Sequence, residues 1–210
     1  MINDLLDLLN SLESKPSIIA ITETNPKLSL NRKQESEYSI DGYNIFSSNV
    51  GNSSFRGIIV YVKNSMQANQ IELSLDFNEC IVIQLGLQNG DSMLLSTFYR
   101  SPGSNNVNDM HLLELINYIC KIPSTKKLVI GDFNLAKISW SKWTTKCGCD
   151  SVEYKFIACL RNNFVMQNVD TATRARGLAT PHILDVVISS DSFVGDINYL
   201  SPLGKSDHTL

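Results

Sequence analysis

The sequence predicts a mixed α/β (α+β) domain in which packed sheets carry helices on their outer faces. Short β-branched runs recur along the chain, and Asn89-Gly90 separates two of them as a hairpin turn would. Few stretches carry helical spacing, so sheets flanked by helices fit better than a regular βαβ succession.

Ile2, Leu5, Leu6, Leu9 and Leu12 stand at helical spacing, and Pro16 ends that helix. Ser17–Thr22 is apolar and β-branched and reads as a buried strand ending at Glu23. Residues 25–56 are polar and rich in Ser, Asn and Gly, with a short strand at Tyr43–Phe46. Further strands are expected at Gly57–Val62, Cys80–Leu87 and Met93–Phe98. Asp109 can cap a second helix whose buried face is Leu112, Leu113, Ile116 and Ile119. Lys127–Ile130 is a strand running into Gly131. Asp150 can cap a third helix, with Val152, Phe156, Leu160 and Phe164 inward, and Ile183–Ile188 is the last clear strand.

At 210 residues, 43% apolar and 19% charged, the chain suits one domain with a substantial core and is too apolar for disorder. No apolar run approaches the roughly 18 residues of a membrane span. The acidic, amphipathic N-terminus does not read as a secretory signal, so the five cysteines are expected as reduced thiols. The chain is therefore expected inside the cell. Eighteen Lys and Arg stand against 21 Asp and Glu, a net charge of −3. That balance lacks the bulk electrostatic sign of a tight DNA binder, leaves room for an enzyme that touches a few phosphates, and implies weak, salt-sensitive binding to DNA.

Chemistry-bearing residues cluster at strand ends, where a rigid sheet can aim side chains into a cleft. Glu23 follows its strand directly; it is either a loop residue facing solvent or a hard oxygen ligand suited to Mg²⁺. In Gly131-Asp132-Phe133-Asn134, a strand continued through the segment would put Asp132 and Asn134 on one side. The carboxylate could then activate water while the amide steadies it, although Asp-x-Asn also suits an Asx-type turn. Asp185 lies within an apolar strand, where a carboxylate must reach water or a cation. Ser206-Asp207-His208 can supply the partner, since a carboxylate on one imidazole nitrogen fixes the tautomer and favours the charged ring. Each residue has an ordinary surface or turn reading; their coincidence is the signal.

This ordered set resembles the endonuclease/exonuclease/phosphatase superfamily, and within it the apurinic-type endonuclease domain of non-LTR (LINE-like) retrotransposons. The resemblance rests on Ile21–Thr24, Gly57–Val62, Tyr99-Arg100-Ser101-Pro102, Gly131–Asn134, Thr173-Arg174, Ile183–Val187 and Ser206–His208, and covers residues 17–210. It implies a DNase I-like fold, a two-sheet β-sandwich flanked by helices in four αββα layers. It further implies that Glu23 binds Mg²⁺ (or Mn²⁺) and that Asp132 activates the attacking water. Asn134 would hold that water or the scissile phosphate. Asp185 would orient His208 onto a phosphate oxygen, and Asp207 would belong to the metal side. Tyr99 would bond phosphate, with Arg100 beside it on the DNA backbone and Arg174 reaching a groove. The implied partners are DNA, met in the nucleus, and a reverse transcriptase domain downstream in the same polyprotein; no membrane partner is implied.

Two departures stand out. The family pattern starts with a strand bearing an Asn, which Asn3 and Asn10 do not replace, and it continues into a closing strand after His208. The expectation is thus a single domain over 1–210 lacking a strand at each edge. Two other functions compete with DNA nicking. One is the same chemistry on abasic DNA, a nucleotide or a phosphoinositide; the other is an inactive remnant that only binds nucleic acid. Cys147-Gly148-Cys149, Asn52-Ser53-Ser54, His111 and His182 carry weaker signals and are read as ordinary loop, surface or core residues.

Overall fold

The computed structural model describes residues 2–25, 34–52, 54–175, 180–204 and 206–210. Ser53, Arg176, Gly177 and part of the polar stretch from 25 to 56 lie outside the described residues. The elements in order are α1 (Ile2–Ser11), β1 (Ile18–Thr22), β2 (Tyr43–Ser48), β3 (Ile58–Lys63), β4 (Ala68–Gln70), β5 (Cys80–Gly86) and β6 (Ser92–Tyr99). They continue with α2 (Asn106–Lys121), β7 (Lys126–Asp132), β8 (Ile138–Ser139), β9 (Thr144–Thr145), α3 (Val152–Asn162), β10 (Met166–Gln167) and β11 (Asp185–Ser189).

One sheet runs β1-β3-β2, the larger β10-β11-β7-β6-β5-β4, and β8 and β9 form a small hairpin. Period-two alternation sorts side chains into three apolar layers. Ile58, Val60 and Val62 meet Ile81, Ile83, Leu85 and Leu95 between the two sheets. The opposite residues of β3, Ile59 and Tyr61, pack on Ile2, Leu5 and Leu9 of α1. Val82, Leu94, Phe98, Val129, Val186 and Ile188 turn outward beneath α2 and α3. The result is the expected four layers, helix, sheet, sheet, helix. Among the described residues no helix is long and apolar enough to cross a membrane.

Asn89-Gly90 forms the expected two-residue turn: Asn89 (φ 61°) and Gly90 (φ 81°) are left-handed, and Asp91 N–H donates to the Gln88 carbonyl. β5 and β6 pair antiparallel beside it. β6 and β7 are parallel, joined through α2 as a βαβ step.

Several local expectations fail for identifiable reasons. Asp109 is not the cap of α2; Asn105 is, accepting from Asn108 N–H, while Asp109 is buried one turn later by an arginine. Asp150 gives way to Ser151 as the cap of α3, because the Ser151 hydroxyl accepts from Tyr154 N–H. Phe164 is 87% exposed: α3 has ended, and a left-handed backbone (φ 54°) swings the ring into water. Leu6 and Leu12 likewise sit at the edge of the α1 stripe, with over a third of their surface exposed.

Gly131 shows how tightly the sheet is built near its functional end. Its φ is 142°, and a Cβ there would stand 1.9 Å from the Phe98 carbonyl oxygen on the paired strand. Gly131→Ala is expected to destabilise the fold by about 3 kcal/mol or more, combining backbone strain with overpacking. Urea unfolding measures this, and a loss below about 1 kcal/mol would contradict the packing argument.

Candidate active site

The ends of β1, β6 and β7 and the start of β11 converge on one end of the sandwich. Strand register sets the core of the site: Tyr99 and Asp185 both stand opposite Asp132 on neighbouring strands. Leu128 and Ile130 face the layer between the sheets, so alternation carries Asp132 to that side too. Val186 and Ile188 face the helices, which leaves Asp185 on the same side as Asp132.

Asp185 begins β11 rather than lying mid-strand, and its partner is His208. The His208 Nδ1 stands 2.7 Å from Asp185 Oδ2. Buried Thr173 ties these segments together. Its hydroxyl accepts from the N–H groups of Leu184 and Asp185 (3.1 and 3.0 Å), and its carbonyl accepts from Thr209 N–H (2.8 Å). One ligand atom each from Asp132, Asp185 and His208 lies within 4.8 Å of the others.

The strand does not persist through Asn134. It ends at Asp132, and Asn134 adopts φ 50° with its N–H donating to Asp132 Oδ1 (3.0 Å). The turn and the functional arrangement therefore coexist, because the Asx-type turn is what aims the pair. The Asn134 Nδ2 donates to Asp132 Oδ2 and to the Arg100 carbonyl, both at 2.9 Å. In this chain the amide hydrogens hold the carboxylate.

Glu23 follows β1 in a left-handed conformation (φ 56°), an uncommon backbone for a side chain of its size. Its Oε1 accepts from the Tyr99 hydroxyl (2.6 Å) and from Arg56 Nε (3.1 Å). Tyr99 thus ties the end of the small sheet to the centre of the large one. Burial, and then the Glu23 carboxylate, push its phenol well above the usual range.

Arg100, expected on the DNA backbone, has a different setting. It is buried and forks onto Asp109, Nε to Oδ1 at 2.7 Å and Nη2 to Oδ2 at 3.0 Å, so it braces α2 against the Asp132 turn. Asp207 pairs with Arg174 (Nε–Oδ2, 2.9 Å) and is absent from the metal-capable cluster of the described residues. Burial pushes the Asp207 carboxyl up, but the Arg174 hydrogen bond and charge outweigh it and hold the group below the usual range. Sequence reasoning missed Arg56 and Asn25. Each is a polar residue in a polar stretch, and only the meeting of β1 with the β2–β3 connection gives it a partner.

Burial, then the neighbouring Asp185 charge, raise Asp132 from 3.8 to about 7. The hydrogen bond that His208 donates to Asp185 raises the imidazole against the opposing effect of burial. Glu23 with the Asp132 and Asp185 carboxylates offers hard oxygen donors, and the buried carboxylates beside one another favour a nearby cation. A divalent ion therefore fits these residues.

The sign of the pH dependence follows. The folded value of Asp132 exceeds the unfolded one, so stability present below about pH 4 is lost as pH rises towards 7, on the order of 4 kcal/mol from this group. His208 acts in the same sense, since its contribution is lost as pH rises through its raised folded value. In EDTA, Tm is expected to fall between about pH 5 and pH 8, and to fall less in Asp132→Asn. Parallel Tm curves for the two proteins would refute the electrostatic account.

The family described as endonuclease-reverse transcriptase matches residues 93–210, over half of the sequence and including the Asp132, Asp185 and His208 segments. The chain belongs to that family. It lies within the endonuclease/exonuclease/phosphatase superfamily, and its DNase I-like layers agree with solved structures. The endonuclease domain of TRAS1, a telomere-specific non-LTR retrotransposon, is similar at TM-score 0.67 and 16% identity, over 99% of this chain and 88% of that one. A 3′ phosphatase from Neisseria bound to product DNA hairpin has TM-score 0.67 and 14% identity, over 99% and 91%. TDP2 of D. rerio, complexed with single-strand DNA product, has TM-score 0.57 and 12% identity, over 99% and 88%. A search of curated proteins found no match. For this member of the endonuclease-reverse transcriptase family, the structural similarities establish the fold, and the family match supports a hydrolytic enzyme.

Proposed function

We propose that this chain is a divalent-metal-dependent DNA-nicking endonuclease of a non-LTR retrotransposon, working in the nucleus and leaving a 3′-OH primer for a reverse transcriptase in the same polyprotein. The observation that carries the reading is the convergence of Asp132, Asp185 and His208, with ligand atoms within 4.8 Å.

The geometry supports the following roles. Asp132 is placed to orient the attacking water and take its proton, and Asn134 holds its carboxylate in one orientation. Asp185 accepts from His208 Nδ1–H, which favours the imidazolium and supplies positive charge for a phosphate oxygen. The Tyr99 hydroxyl fixes Glu23 at the mouth of the cleft and is a donor suited to phosphate. Mg²⁺ (or Mn²⁺) would be held by Glu23 and would supply charge neutralisation at the phosphate. Arg174 is the candidate groove contact, and Asp207 sets its position.

Conversion of supercoiled plasmid to open circles tests this reading. Nicking should require a divalent ion, stop in EDTA and leave ends that a polymerase extends. Ends that need dephosphorylation before extension would rule out a priming role. The second reading, a phosphoesterase acting at DNA 3′ ends, is favoured by the similarity to the Neisseria 3′ phosphatase. Release of inorganic phosphate from a 3′-phosphorylated oligonucleotide, without plasmid nicking, would select it.

A further inference from the structure

Arg56 stands at the mouth of the active site without a role in the chemistry described above. Its Nε and Nη2 each lie 3.1 Å from Glu23 Oε1, the oxygen that the Tyr99 hydroxyl contacts at 2.6 Å. A cationic fork therefore sits on the carboxylate that the metal reading assigns to a divalent ion. Two cations cannot share one carboxylate oxygen cheaply, so occupation by one disfavours the other.

The backbone under Arg56 is fixed while its head is partly in solvent. Arg56 N–H donates to Glu79 Oε1 (3.2 Å), and its carbonyl accepts from Asn25 N–H (2.8 Å). Asn25 is 6% exposed and clamps the loop just ahead: Nδ2 donates to the carbonyls of Asn49, Asn52 and Phe55, and Oδ1 accepts from Gly51 N–H. One buried amide thus delivers the arginine to the cleft. The Arg56 side chain is 21% exposed and its partner 39%, so the head can turn without unfolding its support.

We propose that Arg56 is a built-in counter-cation: it holds Glu23 when no ion is bound, yields it to a divalent cation, and then offers its guanidinium to the phosphodiester. The planar fork matches two phosphate oxygens as a lysine ammonium does not. The inference rests on the divalent-metal reading of this site.

The test uses the intact chain and Arg56→Met. Mn²⁺ binding by the DNA-free protein, followed by electron paramagnetic resonance, should tighten about two- to fivefold in the variant, the worth of one partly exposed ion pair. Affinity for a duplex oligonucleotide, held uncleaved with Ca²⁺, should weaken about tenfold. A residue that merely braces the fold would weaken both, so the opposite signs are diagnostic. Unchanged or weaker Mn²⁺ binding, or unchanged duplex affinity, overturns the proposal. Failure of the wild type to bind Mn²⁺ would overturn the metal reading together with it. Should Arg56→Met not fold, the wild-type Arg56 Nε–H resonance decides: it should shift as Mg²⁺ saturates, and a resonance unmoved at saturation sinks the idea.

Discussion

Asp132→Ala is expected to lower the plasmid-nicking rate by about 10³-fold, within the range for loss of a positioned general base. Misfolding is not the cause anticipated, because the wild-type carboxylate is itself a burden. It is 4% exposed beside Asp185, and its value near 7 reports the cost of charging it there. In EDTA at about pH 8 the variant should therefore unfold no earlier than wild type, although it loses the Asn134 hydrogen bonds. Equal nicking by the two proteins would remove Asp132 from the chemistry. A large fall in Tm alongside the lost activity would make its role structural.

Arg100→Ala is expected to destabilise the protein by about 3–5 kcal/mol, the cost of leaving a buried charge without its partner. The Arg100 and Asp109 side chains are 6% and 8% exposed and meet through a fork of 2.7 and 3.0 Å. The arginine also reaches the Phe133 and Asn134 carbonyls at 3.4 and 3.5 Å, so its loss loosens the turn that aims Asp132. Urea unfolding of Arg100→Ala, Asp109→Ala and the double variant closes the cycle, and the double should cost well under the sum of the singles. Additive losses would mean that the pair is not coupled.

Much of the candidate site was legible because its signal is local. Asp132, Asp185 and Glu23 follow or begin apolar β-branched runs, and a strand end is visible in sequence as a change from apolar to polar residues. His208 reads from the sequence as the partner of Asp185, and its Nδ1 stands 2.7 Å from Asp185 Oδ2 although 23 residues separate them. The choice between a turn and a site at Asp132-Phe133-Asn134 could not be made from sequence, since the Asx-type turn is also the device that orients the site. The cap errors at Asp109 and Asp150 share one cause. Several adjacent polar residues can each cap a helix, and the competing tertiary partner, Arg100 for Asp109, is invisible along the chain.

By itself the sequence determined the layers and the donors. Period-two and helical spacing state which faces must be buried, and Asn89-Gly90 states where one hairpin closes. The order of Glu, Asp, Asn, Asp and His along the chain states the resemblance. Only the tertiary structure decided what each charge does. A guanidinium reads the same in Arg56, Arg100 and Arg174, yet one sits on the Glu23 carboxylate, one is buried as a brace and one holds Asp207. The physical reason is that the role of a charge depends on its partner and its solvation, and both are set by contacts between residues far apart in the chain.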